Sequence, residues 1–420
     1  MPLYKFTPSC CRRPSRRRMR RSALLLLVLA LLFALPGCSA REQSIYEQDY
    51  AYLWDILEYE YPHYHVAERL LGRELDEIKE QYAALLPEVD SAEGFYELVV
   101  KPCLDEFKVN SLSIGHLDAL DAAFYNSCVQ SLDEYPDDPR IQFRRDELLN
   151  PKALQFYRSP IFREGAGASP LSVYVEVNQV IRYFPEQNAA YVRIKQMTND
   201  PDDGKELLSF FATLEERGYE HCIIDIRDNT GGNTMHWMAF IVGPNFAEMP
   251  RCDFYQLLKG DYAREYAECY GISPRPISEL PLEELPELCP EDLEGVDSFF
   301  VMEYGTMKIT YGAFEPPLYT GRFWLLTDGL VYSASDSLAA EAKASGFATL
   351  VGERTGGNGI GYTPVIRCLP NTGICFRYDS GLGLNPDGSA NSEVGTAPDY
   401  ECESGLALDY CLDLIESGEA

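Results

Sequence analysis

The isoleucine-rich run Cys222–Ile226 leads into Arg227-Asp228-Asn229-Thr230-Gly231-Gly232, and a helical stretch, Met235–Val242, follows at once. A run this short and apolar reads as a buried strand, and paired glycines force a tight turn after it. The same order recurs downstream: strand Phe323–Leu326, a turn, then a helix from Ser333 to Lys343. Strands are also expected at Ser172–Glu176, Val180–Phe184 and Ala190–Ile194, and Leu207, Phe210, Phe211 and Leu214 form a helix stripe closed by Gly218. Strands alternating with helices predict an α/β core.

The remainder of the 420 residues divides around that core. Residues 1–37 read as a targeting segment, with Lys5 and seven arginines between Arg12 and Arg21, then thirteen apolar residues, Ala23–Leu35. That stretch is about 20 Å long as helix, short of a ~30 Å hydrocarbon core. It ends in Leu35-Pro36-Gly37-Cys38, which resembles a bacterial lipobox, so Cys38 is expected to carry a lipid and hold the protein on the outer side of a bacterial membrane. Residues 38–130 read as a helical subdomain: Tyr46, Tyr50, Leu53, Trp54, Leu57 and Tyr61 recur at three- and four-residue steps, and Leu75, Ile78, Tyr82 and Leu85 repeat them. A third helix is expected at Asp90, with Glu93 completing a capping box. Residues 131–170 show no period and read as a connector, and 171–420 form the core. An acidic, proline-rich insertion at about 244–296 is expected to be a solvated excursion or a rim over a site.

Removing the targeting segment takes eight of 36 basic residues and none of 66 acidic ones, leaving 28 against 66, a net charge of −38. Such a charge argues against nucleic acid and anionic lipid surfaces as partners. Cys10 and Cys11 leave with that segment and Cys38 takes the lipid, so ten of 13 cysteines remain; Cys368 with Cys375 and Cys402 with Cys411 are plausible pairs. There is no C-x-x-C pair, and His63-Tyr64-His65 reads as a surface segment rather than a metal site.

Chemistry concentrates in four places. Tyr332-Ser333-Ala334-Ser335-Asp336 heads a helix, where a serine serves as an N-cap or as a nucleophile beside free backbone N–H groups. Asp225–Gly232 ends a strand in glycines, which suit a tight turn or a close backbone approach to a ligand. Ser113-Ile114-Gly115-His116 and Ser392–Asp399 supply a histidine and a glutamate, Glu393.

Together these segments resemble family S41 of the serine peptidases, the tail-specific and tricorn-type proteases, from about Tyr50 to Tyr400. The resemblance implies a serine endopeptidase with a crotonase-like ββα core, a peptide or protein substrate, and neither cofactor nor metal. It implies Ser333 as nucleophile, and oxyanion donors from Gly231, Gly232 and Ala334, with Asp225, Arg227 and Asn229 supporting them. Gly352–Gly357 resembles the family's G-E-x-T-x-G loop. Tail-specific members carry a base lysine 25 residues after the serine, where this chain has Asn358. Tricorn-type members use a histidine and a glutamate, which implies His116 as base and Glu393 as third member, although Glu393 stands one residue closer to Gly395 than the pattern asks. Ser113 is a candidate for a supporting hydrogen bond, because Gly115 replaces the serine that directly precedes the histidine in tricorn. No PDZ pattern is found between Asp118 and Val173. Two other classes stay open at this stage: a binding protein on an inactive peptidase scaffold, and a glycosidase using two of the many carboxylates.

Overall fold

The computed structural model describes residues 43–162, 178–246, 252–304, 317–361 and 363–418. The chain divides at Ser44/Ile45, and the description concerns the unit from Ile45 onward. The segment around Cys38, the expected strand Ser172–Glu176 and the run Gly165–Gly167 lie outside the described residues.

Helices α1 (Ile45–Tyr59), α2 (Tyr64–Leu71) and α3 (Leu75–Ala83) follow the apolar periods read from the sequence. Leu53, Trp54, Leu57 and Ile78 are fully buried on the shared face, each contributing about 1.5–3 kcal/mol by leaving water. The helix expected with Asp90 as its cap starts one residue later, as Ala92–Phe95. Its N-cap is Ser91, which accepts from the Gly94 N–H, and Glu93 instead accepts from Ser159 Oγ at 2.6 Å. His63 is not on the surface: it is 2% exposed and its ring stacks on Tyr61.

The core is a six-stranded sheet. Strands β1 (Gln179–Phe184), β2 (Ala189–Ile194), β3 (His221–Asp225), β4 (Arg322–Thr327), β5 (Ala348–Gly352) and β6 (Tyr400–Glu401) lie in spatial order β6-β5-β4-β3-β2-β1. All neighbours are parallel except the β1–β2 pair. Alternation across β3 decides the layers: Cys222 and Ile224 pack with α4 (Pro201–Arg217) and α5 (Ala334–Ser345) on one face. Ile223 packs with α6 (Ala407–Ser417) on the other. Because both faces are covered, the central strands β3, β4 and β5 carry apolar runs with little alternation, as a parallel sheet requires.

The described part of the stretch read as a connector, residues 131–162, is folded. Residues 122–156 form four short helices whose Tyr125, Leu132, Leu148 and Phe156 join the N-terminal helices in one core. The acidic insertion is likewise packed rather than a solvated excursion. Cys252–Leu258 pairs with Ser298–Tyr304 along seven residues, and Leu280, Leu285 and Val296 enter the same core as α1. Its glutamates Glu279, Glu283, Glu284, Glu287 and Glu291 face solvent, which explains a composition that looked like a loop. The hairpin Val365–Cys368/Cys375–Tyr378 carries a Cys368–Cys375 disulfide, whereas Cys402 and Cys411 are both free thiols.

Candidate active site

Ser333 precedes α5 with φ 57° and ψ −126°, a conformation L residues rarely adopt. Its hydroxyl makes no helix-capping bond; it lies 3.0 Å from His116 Nε2. The N-cap role that the spacing of Ser333 and Asp336 allows is therefore not used. A strained serine at a strand-to-helix turn, aimed at an imidazole instead of its own helix, is the geometry of an activated hydroxyl.

His116 follows Gly115 in a tight turn, both at positive φ (49° and 55°). A side chain at Gly115 would meet the buried His63 ring within 2.7 Å and Tyr61 within 3.0 Å. That clash accounts for glycine at this position. Ser113 makes no bond to His116: its Oγ donates to Asp118 Oδ2 at 2.8 Å, and its carbonyl accepts from Tyr332 OH at 2.5 Å.

The carboxylate beside His116 belongs to Asp379, with Oδ2 at 2.9 Å and Oδ1 at 3.1 Å from Nδ1. Asp379 follows the strand Cys375–Tyr378, and its backbone N–H is anchored on the Gly115 carbonyl at 2.7 Å. Glu393, expected at this place, is held elsewhere. Arg69 of α2 bonds it through Nε at 3.0 Å and Nη2 at 2.6 Å, and also bonds the buried Asp292 at 2.9 Å. A guanidinium offers a planar fork of donors that outcompetes a distant imidazole for this carboxylate. Asn358 completes the cluster, its Nδ2 lying 2.8 Å from Asp379 Oδ2 and 3.2 Å from Tyr332 OH. His116, Asp379 and Asn358 are all buried, while Ser333 keeps partial access to solvent.

The glycine turn lies against the serine turn. A Cβ on Gly231 would come within 2.8 Å of Ser333 Cβ and 3.0 Å of Ala334 N, and one on Gly232 within 2.1 Å of Met197 O. The Gly231 N–H is spent on Asn229 Oδ1 at 2.9 Å, so Gly231 shapes the turn rather than offering a donor. Gly232, which is exposed, and Ala334, at the first position of α5, have backbone N–H groups with no acceptor among the described residues. Asp225 and Arg227 form a paired fork, at 2.6 Å and 2.9 Å, that also takes the Tyr191 hydroxyl. Asn229 fixes the turn twice more, donating to Ile194 O and accepting at its backbone carbonyl from Tyr332 N–H. Asp336 is wholly buried and accepts from Thr355, Thr396 and the Gly359 N–H, which ties α5 to the Gly352–Gly357 loop. Burial raises its carboxyl despite those bonds.

Residues 188–402 match the model of peptidase family S41. Among solved structures, a Parabacteroides merdae protein assigned to the peptidases aligns at 16% identity and TM-score 0.51, covering 89% of this chain and 97% of that one. Mature CPAF aligns at 12% identity and TM-score 0.50, covering 89% and 97%. At these identities the two share the fold and nothing finer follows from them. No curated protein sequence matches the chain. The matched stretch is half the chain and runs from β2 to β6, taking in the glycine turn, Ser333 and the loop behind it: the chain belongs to peptidase family S41.

Proposed function

We propose that the chain is a serine endopeptidase working through Ser333, His116 and Asp379. The observation that carries this reading is the chain of contacts from Ser333 Oγ to His116 Nε2 and from Nδ1 to Asp379. A carboxylate only accepts, so Nδ1 carries the hydrogen and the Nε2 lone pair faces the serine. His116 takes the Ser333 proton as Oγ adds to the scissile carbonyl carbon. The resulting oxyanion accepts from the Gly232 and Ala334 N–H groups, at the positive end of α5. Collapse breaks the C–N bond, and His116 gives its proton to the leaving amine, leaving an acyl ester on Ser333. Water, deprotonated by the same imidazole, then releases the acid.

The strand-pair-and-helix unit β1–β2–α4 and the strand-and-helix unit β4–α5 support a crotonase-type description of the core. The charge of −38 suits a peptide substrate over a nucleic acid, and Cys38 is assigned as a lipid anchor on the outer face of the cell envelope.

Ser333→Ala tests the reading. Both peptide hydrolysis and labelling by a fluorophosphonate are expected to vanish. Stability should stay within about 1 kcal/mol, because no cap is lost and alanine inherits the same backbone strain. A variant that still hydrolyses peptides at the parent rate overturns the assignment.

A further inference from the structure

We infer that Asn358 is a positioning residue that locks Asp379 and sets the tautomer of His116; this rests on the reading of the site given above. Asn358 spends its side chain on three segments distant in sequence. Its Oδ1 accepts from the Gly115 N–H at 3.2 Å, in the turn that presents His116. Its Nδ2 reaches Asp379 Oδ2 at 2.8 Å and, 3.2 Å away, the hydroxyl of Tyr332, the residue before Ser333.

The Gly115 bond fixes which way the amide faces. Turning it over would set two N–H donors against each other at Gly115 and an oxygen against the Asp379 carboxylate. With Nδ2 so placed, its two hydrogens are accounted for. One goes to Asp379 and one to Tyr332, whose own hydrogen goes to the Ser113 carbonyl. Tyr332 stays a neutral phenol because burial raises its pKa far above the ordinary tyrosine range.

Nδ2 and His116 Nδ1 thus converge on the same carboxylate oxygen, 2.8 Å and 2.9 Å from it and 2.7 Å from one another. Were Asn358 to donate to Nδ1 instead, Nδ1 would have to be bare. Nε2 would then carry the hydrogen, and Ser333 would have no base. Holding Asp379 in place removes that alternative. Asn358 itself sits at φ 63°, a conformation asparagine tolerates better than most residues.

Asn358→Gly separates the side chain from the turn, since glycine adopts positive φ without strain. Asn358→Asp is the second variant: it keeps the shape but sets a carboxylate against Asp379. The measurements are the saturation kinetics of fluorophosphonate labelling and the downfield proton resonance of His116 Nδ1–H. Both variants are expected to lower the maximal labelling rate about ten- to hundredfold. The half-saturating concentration should stay within about twofold, and the Nδ1–H resonance should broaden or shift. A rate and resonance equal to the parent in either folded variant overturn the inference. Ser333→Ala run alongside keeps the two claims apart. If it labels like the parent, the site reading falls; if it is silent while Asn358→Gly labels normally, only the role of Asn358 falls.

Discussion

Two carboxylates compete for a place beside His116, and their partners decide between them. Asp379 faces the imidazole and an amide, neither of which neutralises it, so its charge remains available to an imidazolium forming at His116. Glu393 shares Arg69 with Asp292, and its charge is already balanced. Asp379→Asn is therefore expected to lower kcat by about a hundredfold or more, because an amide there favours the wrong tautomer. Glu393→Gln should leave kcat within about threefold while costing about 1–2 kcal/mol of stability through a weakened, partly exposed ion pair. Steady-state kinetics and thermal melts on the two variants decide this; equal losses of kcat would return Glu393 to the site. Lys343 offers no rival base, since its ammonium is held by the Ala397 carbonyl and Asp399 at the far end of α5.

Helix α5 carries a second titratable group that the proposed chemistry does not use. Glu341, two turns beyond Ser333, is fully buried against the Cys252 thiol, and burial pushes its carboxyl up to about 8. A folded pKa above the unfolded one means that the stabilising contribution is complete below the ordinary carboxylate range. It declines as pH rises toward 8 and is flat beyond. Glu341→Gln removes that slope. The variant should match the parent near pH 4 and exceed it by on the order of a few kcal/mol at pH 8, read as a difference in Tm that grows with pH. A difference independent of pH would place the Glu341 carboxyl in water. Elements were legible in the sequence where period and turn chemistry agreed: α1 follows the apolar stripe through Leu53, Trp54 and Leu57, β3 the apolar run through Ile224, and α5 begins at the turn read at Ser333. The residues at 139–156 escaped because helices of four to six residues, two of them capped by Asp138 and Asn150, are too short to show a period. Asp379 escaped for another reason. It is one acid among 66, and only the pairing of its hairpin with Asp118–Ala119 brings it to His116. Asn358 was visible only as a lysine missing from its place.

At the scale of the whole molecule, the cluster is built from distant parts of the chain: His116 from the N-terminal region, Ser333 and Asn358 from the segments that follow β4 and β5, and Asp379 from a C-terminal hairpin. The core that joins α1 to that hairpin is one continuous apolar body, so the N-terminal helices are part of the same folding unit as the site. Where this unit resides is a separate question of physics. Among the described residues no helix is long and apolar enough to cross a membrane. Without the first 37 residues the chain would carry a net charge of −38, which an anionic lipid surface repels. We propose that membrane association rests on a covalent lipid carried by Cys38. Cys38→Ser is expected to move the protein from the membrane fraction to the soluble one. The parent should resist washing with about 1 M salt, which shortens the screening length to about 3 Å and strips proteins held by charge. Release of the parent by salt would mean that charge holds it at the surface, and retention of Cys38→Ser on membranes would mean that another segment anchors it.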